Sequence, residues 1–390
     1  MSLSLTCRCG RKLRVDESAI GHSIRCRCGR LLRVRGARPA GAGHRARHYL
    51  RRLRSWLGQP VRDGLRRALW RASITWCGAA IVAWPFLYGL GDRWWPATVL
   101  LFGPRWMLLL PLVALVPAAL AILPRALVPI GIGGLVIAGP VMGFAAGAMT
   151  APRSERDLRV VSFNIQGGSA LGFEGTLEHA LATWEADIVA LQECSSELEP
   201  DLRALEGYSI HVHGGLCFIS RYPILQVDSL PPWRIGDLGW AGSIVRYTLD
   251  AAGRQLQVTN LHLDTPGRGL EMLREQRDSR LLAANLEMRE VASRRASNWV
   301  MQGGTPSIVA GDFNTPGESA IFRRYWSHFD DAFARAGVGY GGTRVLRWFS
   351  VRIDHILSTD GLRAVHAEVG SDLGSDHLPL IADFIWTDDD

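Results

Sequence analysis

Lysine is almost missing from these 390 residues: Lys12 stands alone against 43 arginines. That bias reflects genome composition more than mechanism. Cysteine is scarce too. Of seven, four fall in two close pairs before residue 29, and the three others are too few to mark a disulfide scaffold. Acidic residues are missing from residues 35 to 71, where Asp63 is the single exception in a Gly-, Ala- and Arg-rich run. Such a run is usually a solvated arm and not a packed element. Charge of either sign is missing from Ile74–Leu90, Trp106–Leu123 and Ala126–Met149. Runs of 17, 18 and 24 residues without charge speak against a soluble hydrophobic core domain and lie within or near the length that crosses a bilayer. A cleavable signal peptide does not fit, because the first apolar run begins too late.

What is present at the front is a repeat. Cys7-Arg8-Cys9-Gly10-Arg11-Lys12-Leu13-Arg14-Val15 recurs as Cys26-Arg27-Cys28-Gly29-Arg30-Leu31-Leu32-Arg33-Val34. Four thiolates in two close pairs, each followed by a turn-forming Gly, suit a structural tetrahedral Zn²⁺, so residues 1–34 resemble a short zinc ribbon with Cys7, Cys9, Cys26 and Cys28 as ligands. The Cys-x-Cys spacer departs from the usual Cys-x-x-Cys, and paired disulfides or free thiols remain the alternative.

Residues 35–73 read as a basic juxtamembrane arm for an anionic membrane surface, and residues 74–149 as about three transmembrane helices. Trp94, Trp95 and Trp106 sit at the edges as an aromatic belt would. Gly139, Gly143 and Gly147 recur every four residues, the spacing of a smooth face for close helix packing. Residues 1–150 hold 22 basic residues against 4 acids, whereas residues 151–390 hold 22 arginines against 33 acids. By the positive-inside rule the chain is expected to be a multi-pass protein of the cell inner membrane with its N-terminus in the cytoplasm, and three spans then deliver the C-terminal domain to the extracytoplasmic side. A linker over residues 150–157 is expected to join the two.

Six short motifs occur in order beyond it: Ser162-Phe163-Asn164-Ile165, Leu191-Gln192-Glu193, Asn260-Leu261-His262-Leu263, Gly311-Asp312-Phe313-Asn314, Arg352-Ile353-Asp354-His355 and Ser375-Asp376-His377-Leu378-Pro379. Four of them follow strand-like apolar runs, which puts the polar residues at strand ends, where open α/β sheets gather ligand sites. Taken singly, an Asp or Asn at a strand end is usually a turn or cap residue. Jointly the series resembles the endonuclease/exonuclease/phosphatase superfamily, with its DNase-I-like fold, over residues 158–386. The resemblance implies an α/β four-layer α/β/β/α sandwich of two packed sheets, here preceded by a transmembrane helical bundle and a small zinc ribbon.

The chemistry can be read beside the resemblance. Hard oxygen donors suit Mg²⁺ or Mn²⁺, which takes one or two protein carboxylates and keeps several waters. Glu193 is therefore read as a metal ligand, with Asn164 and Asp376 in its neighbourhood, as the family pattern also implies. His377 is read as the general base for water and Asp354 as the carboxylate that orients it. Asp312 and Asn314, alternating on one extended segment, are expected to point to the same side. Asp312 would position water or a second metal and Asn314 would donate to a phosphate oxygen, while a protonated His262 would offset developing charge. His355 is given a structural role, and no pairing is assigned to Cys194 and Cys217.

The function these readings point to is a membrane-tethered, metal-dependent phosphoesterase that uses activated water on a phosphorylated lipid or small envelope phosphoester. The alternative is a nuclease on DNA or RNA, which the acidic balance of residues 151–390 disfavours because it offers no broad basic footprint. A catalytically inactive ligand-binding adaptor is the third reading, and the intact set of acids and His377 argues against it. Oligomeric state and leaving group are not legible.

Overall fold

A computed structural model describes residues 2–34, 59–147, 156–168, 176–231, 242–276, 279–304 and 306–387. Most of the basic arm, residues 150–155 of the linker, and the segment carrying Trp233 and Trp240 lie outside the described residues. The chain divides into two compact units. One is Met1–Leu69 with Ala121–Leu123; the other is Trp70–Leu120 with Pro124–Asp390.

In the first unit the sequence repeat becomes a structural one. Strands β1 (Ser2–Thr6) and β2 (Lys12–Asp16) pair antiparallel, as do β3 (Ser23–Arg25) and β4 (Leu31–Arg33). In each half the first cysteine closes a knuckle: Cys7 N–H donates to the Arg11 carbonyl at 2.9 Å and Cys26 N–H to the Arg30 carbonyl at 2.8 Å. Gly10 and Gly29 both take φ 85°, a left-handed turn conformation that glycine adopts without penalty.

Among the described residues, three helices are long and apolar enough to cross a membrane: Gln59–Leu90, Arg105–Ile122 and Pro124–Val141. The first, α1 (Gln59–Leu90), starts well ahead of the apolar run at Ile74, so part of the arm is helical. A turn through Asp92 leads to α2 (Trp95–Phe102). The third helical stretch stops at Val141 and does not continue to Met149, because Gly143 takes φ 76°. The expected Gly139, Gly143 and Gly147 helix face is therefore absent. Gly143 instead makes room for Glu318, whose Oε1 a Cβ at that position would overlap. The chain then pairs as β5 (Ala145–Ala146) and Gly147 N–H donates to the Gly337 carbonyl at 2.8 Å.

The motif-bearing region is a sandwich. Its first four strands are β6 (Leu158–Asn164), β7 (Ile188–Gln192), β8 (Ser209–His213) and β9 (Leu216–Ser220). Next come β10 (Ile224–Ser229), β11 (Ser243–Ala251), β12 (Arg254–His262), β13 (Ser307–Asp312) and β14 (Asp330–Asp331). The short β15 (Val338–Gly339) pairs with β5, and β16 (Arg344–Leu346) with β17 (Phe349–Val351). The last three are β18 (Asp354–Ser358), β19 (Leu362–Val369) and β20 (Leu380–Trp386). One sheet runs β19-β20-β6-β7-β9-β8 and the other β10-β11-β12-β13-β18-β14.

The two sheets bury one core between them, with Val160, Ala190 and Phe218 of the first against Tyr247, Val258 and Ile308 of the second. On the outer face of the first sheet, Leu181 and Trp184 of α3 (Thr176–Trp184) cover Val161 and Phe163. On the outer face of the second, Ala296 and Val300 of α4 (Ser279–Met301) cover Leu261 and Val309, next to the fully buried Trp326. Helix, sheet, sheet and helix make the four expected layers. Each fully buried large apolar side chain contributes about 1.5–3 kcal/mol.

Register places the site. β6 runs parallel to β7, and β12 parallel to β13, so Asn164, Gln192, His262 and Asp312 lie at carboxyl ends in opposed pairs, Asn164↔Gln192 and His262↔Asp312. The antiparallel neighbour β18 begins where β13 ends, pairing Asp354 with Asp312, and β20 begins just after His377. Cys194 and Cys217 form a disulfide, Cα to Cα 5.8 Å, that ties the chain after β7 to β9.

His355 is structural, as read from the sequence: Nδ1 lies 3.1 Å from Asp331 Oδ2 and Nε2 2.9 Å from the Thr315 carbonyl. Arg352 donates through Nη1 to both Asp331 oxygens at 2.9 and 2.7 Å. Burial works against the charged form of Asp331, but Arg352 and His355 hold its carboxyl well below the usual carboxylate range. A depressed carboxyl stabilises the fold above its unfolded pKa, about 3.9, and that contribution is lost as pH falls below it. Asp331→Ala strands a buried Arg352 and is expected to lose about 3–5 kcal/mol at pH 7. The gap from wild type should narrow near pH 3; thermal unfolding at the two pH values measures both, and an equal gap at both would reject the ionic origin.

Candidate active site

Asp312 sits at the centre, with 1% of its side chain exposed. Gly311 ahead of it has φ 153° and lies so close to the Leu261 carbonyl of β12 that no Cβ would fit, which explains the Gly of Gly-Asp-Phe-Asn. Asp312 Oδ1 accepts the Asn314 N–H at 2.7 Å; Oδ2 accepts Asn164 Nδ2 at 3.1 Å and Asn314 Nδ2 at 3.2 Å. Burial and the neighbouring Asp354 carboxylate push the Asp312 carboxyl up, against the opposing pull of His377 and His262.

Around it the other sequence-predicted residues converge. Asn164 Nδ2 also donates to Glu193 Oε1 at 3.1 Å, so one amide joins two carboxylates. His262 Nε2 lies 3.7 Å from both Glu193 Oε1 and Asp312 Oδ2. His377 Nδ1 is 2.8 Å from Asp354 Oδ2, and its Nε2 is 3.7 Å from Asp312 Oδ2. Asp376 stands at the rim, with an oxygen 3.9 Å from His377 Nε2. Glu193, Asp376, His262, Asp312 and Asn314 line an open cleft of about 750 Å³.

One expectation is corrected. Asn314 is not on an extended segment with Asp312, because β13 ends at Asp312 and Asn314 takes φ 50°. Its Nδ2 donates to the Leu263 carbonyl at 2.8 Å as well as to Asp312, so both amide hydrogens have protein acceptors. In this structure Asn314 orients Asp312.

Backbone strain collects at the same place. Of the five non-glycine residues at positive φ among the described residues, Gln166, Glu193 and Asn314 all line the cleft. Such conformations cost about 1–3 kcal/mol each and persist where surroundings over-determine them.

Arg344 was not visible in any motif. From β16 it places Nη2 2.8 Å from Asp376 Oδ2 and Nη1 3.1 Å from His377 Nε2. The approach to Nε2 fits a neutral ring with its proton on Nδ1 toward Asp354. Burial also disfavours the imidazolium, yet the charges of Asp354 and Asp312 push His377 up to about 9. The two tendencies conflict, and the direct Arg344 contact favours the neutral tautomer, whose Nε2 lone pair accepts from Arg344 in this structure. Thr343, Asn260 and Ser375 were also unforeseen in their parts. Thr343 Oγ1 accepts the Asp354 N–H at 3.2 Å, Asn260 bridges to the Leu191 and Cys217 carbonyls of the other sheet at 3.0 and 3.1 Å, and Ser375 Oγ donates to the Asn164 carbonyl at 2.8 Å.

The donor set fits a hard divalent cation. Glu193 and Asp312 present carboxylate oxygens to one cleft, and a buried, like-charged acid such as Asp312 is the kind of group a cation relieves. In the first unit, the Sγ atoms of Cys7, Cys9, Cys26 and Cys28 all lie within 4.8 Å of one another.

Residues 161–377 match the family model described as Endonuclease/Exonuclease/phosphatase family. The chain belongs to this family. Members of the endonuclease/exonuclease/phosphatase superfamily are hydrolases acting on phosphate esters. Among solved structures, the chain is similar to an endonuclease/exonuclease/phosphatase family protein from Bacteroides thetaiotaomicron, 18% identical, TM-score 0.47, covering 59% of this chain and 98% of that one. It is also similar to D. rerio TDP2 complexed with a single strand DNA product, 16% identical, TM-score 0.44, covering 58% and 98%. A third is a mannosyl-6-phosphatase from Bacteroides thetaiotaomicron, 18% identical, TM-score 0.42, covering 59% and 100%. No curated protein matches the chain.

Proposed function

We propose that the protein is a membrane-tethered, divalent-metal-dependent phosphoesterase that hydrolyses a lipid-linked or small envelope phosphoester on the extracytoplasmic side. The observation that carries this reading is the His377–Asp354 pair, 2.8 Å apart, opening toward a buried Asp312. Glu193 and Asp312, joined by Asn164, would hold Mg²⁺ or Mn²⁺, and such an ion when bound polarises phosphoryl oxygens. Asp376, drawn to Arg344 at 2.8 Å, borders that set.

With Arg344 Nη1 turned from Nε2 to substrate, His377 Nε2 takes a proton from the attacking water, while Nδ1–H toward Asp354 fixes the tautomer and stabilises the imidazolium that forms. Water adds to phosphorus as the bond to the leaving oxygen breaks, and His262 and Arg344 face the charge that develops. No covalent intermediate with the protein is required. Cys7, Cys9, Cys26 and Cys28 would hold a structural Zn²⁺ with no part in the reaction.

The membrane side of the reading rests on three apolar helices and on the thiol chemistry. The cysteines of the N-terminal unit form no disulfide, whereas Cys194 and Cys217 are bonded. Disulfides persist in oxidising compartments and not in the cytosol, which supports placing the motif-bearing domain outside and the arginine-rich N-terminus inside.

His377→Ala and Glu193→Gln in the full chain, purified in detergent, are each expected to lower turnover of a model phosphodiester or phosphomonoester by about 10² to 10⁴. EDTA should stop the wild type and Mg²⁺ or Mn²⁺ should restore it. Unchanged rates in either variant would sink the assignment of roles, and preference for plasmid DNA over the lipid-linked and small phosphoesters in the same panel would make it a nuclease.

Elemental analysis of freshly reduced protein is expected to find about one Zn²⁺ per chain, absent from the Cys7→Ser, Cys26→Ser double variant whose phosphoesterase rate is unaltered. A metal-free wild type would refute the ribbon site.

Alkaline phosphatase fused after Asp390 should be active in cells and a cytoplasm-only fluorophore dark. The opposite pattern would put the cleft in the cytoplasm and transfer weight to the nucleic-acid reading.

A further inference from the structure

Arg289 lies on the inner side of α4 with 2% of its side chain exposed. Its Nη2 donates to the Asn314 carbonyl at 2.7 Å and to Thr315 Oγ1 at 2.8 Å, and its Nε donates to the Asp264 carbonyl at 3.3 Å. Asp264 follows His262 at the end of β12, and Asn314 follows Asp312 at the end of β13. One guanidinium therefore straps together the two loops that carry His262 and Asp312. Asn314 in turn holds both oxygens of Asp312, through N–H and Nδ2.

The carboxylate that neutralises this guanidinium comes from elsewhere in the chain. Arg289 Nη1 meets Asp92 Oδ1 at 3.2 Å, and Asp92, in the turn between α1 and α2, has 0% of its side chain exposed. Phe102 of α2 lies against the same guanidinium, 5.3 Å from its ring centre. A second buried pair joins the same two regions four residues further along the loop: Arg105 Nη1 reaches Glu318 Oε2 at 2.8 Å. Burial disfavours the Glu318 carboxylate, but Arg105 and Arg352 hold its carboxyl below the ordinary range.

A buried ion pair contributes little net stability compared with apolar packing of the same volume, yet stranding one member is strongly unfavourable. What Asp92 supplies is a fixed position for Arg289, and through it for the loop.

We propose that Asp92 is a positioning residue for the reaction: acting through Arg289 and Asn314 it sets the Asp312 carboxylate, and with Arg105 it makes the apolar helical segment part of the catalytic scaffold as well as an anchor. This rests on the assignment of Asp312 to the reacting site. The loop Gly311–Ser319 is thereby clamped from the helix side at two points, Asn314–Thr315 and Glu318. Arg323 is the internal control. Its side chain also touches the helical segment, donating to the Tyr88 carbonyl at 3.2 Å with its guanidinium 4.2 Å from the Tyr88 ring centre; its bond to that loop is from its backbone N–H to the Ser319 carbonyl at 3.1 Å, which a side-chain truncation leaves in place.

Asp92→Asn and Arg323→Ala in the full chain, purified in detergent with Mg²⁺, separate loop positioning from docking. Misplacing a reacting group by about 1 Å costs up to about 10²-fold. Asp92→Asn is therefore expected to lower kcat by about 10- to 100-fold with KM within about twofold, and to speed hydrogen–deuterium exchange across residues 311–319; Arg323→Ala should change neither. Wild-type kcat and exchange in Asp92→Asn, or equal losses in both variants, would overturn the proposal. Should Asp92→Asn not fold, Thr315→Val against Thr315→Ser decides: loss of kcat and faster exchange only when the hydroxyl is removed supports the strap, and no difference between them rejects it. If wild type and His377→Ala turn over equally, the catalytic reading has failed, and the exchange measurement still judges the strap by itself.

Discussion

A carboxylate that is nearly sealed from water has to be compensated on every side, and Asp312 shows how much of the molecule that takes. Its two oxygens are met by amides from Asn164 and Asn314, with His262 and His377 both 3.7 Å away. These groups come from three segments besides the loop Asp312 heads, and they arrive together because each sheet contributes a parallel strand pair whose carboxyl ends lie at the same edge. The antiparallel neighbours β18 and β20 start at that edge, bringing in Asp354 and His377. Removing one parallel pairing would reverse a strand and carry its terminal residue to the far side of the sandwich.

The fold was legible because its signals are local. Apolar runs such as Ile188–Leu191 become strands buried on both faces, and a polar residue that ends such a run can only sit at the sheet edge. Glu193, His262, Asp312, Asp354 and His377 meet there. The placement of Asn314 on one extended segment with Asp312 failed because two residues of a strand alternate only while the strand continues, and a left-handed φ at Asn314 ends it. The glycine stripe failed for the same reason: spacing by four implies one face only inside a helix, and Gly143 lies beyond the end of one. Arg344, Arg289 and Asp92 left no trace in spacing, since each reaches its partners from a separate stretch of chain, and tertiary contact has no period to read. The Cys194–Cys217 bond likewise needed the β7–β9 pairing before the two residues could be placed within bridging distance.

Charge in an apolar environment is the thread that joins the two ends of the second unit. Arg105, in a stretch otherwise apolar enough to enter a bilayer, does not extend toward water; it is 8% exposed, with Nη1 2.8 Å from the Val141 carbonyl and 2.8 Å from Glu318. The sandwich meets the helices through such pairs and through the β5–β15 ladder, with Gly143 and Gly147 permitting the approach. Apolar surfaces alone could slide past one another by a turn at little cost, because dispersion and burial are non-directional. Buried Asp92 and Arg289 cannot, since any register other than the observed one would leave a desolvated charge unpaired.

That difference has a consequence for how the cleft is built. The loop from Gly311 to Ser319 carries Asp312 at one end and Glu318 near the other, so the central carboxylate of the cleft and a residue that fixes the sandwich on the helices belong to one short segment. Strain at Asn314, about 1–3 kcal/mol for such a conformation, has to be sustained by bonds around it. Those bonds run through Arg289 to Asp92. A sandwich without the helical segment would keep its two-sheet core, which none of these residues enters, but it would lose the counter-charge of the guanidinium that holds the strained turn.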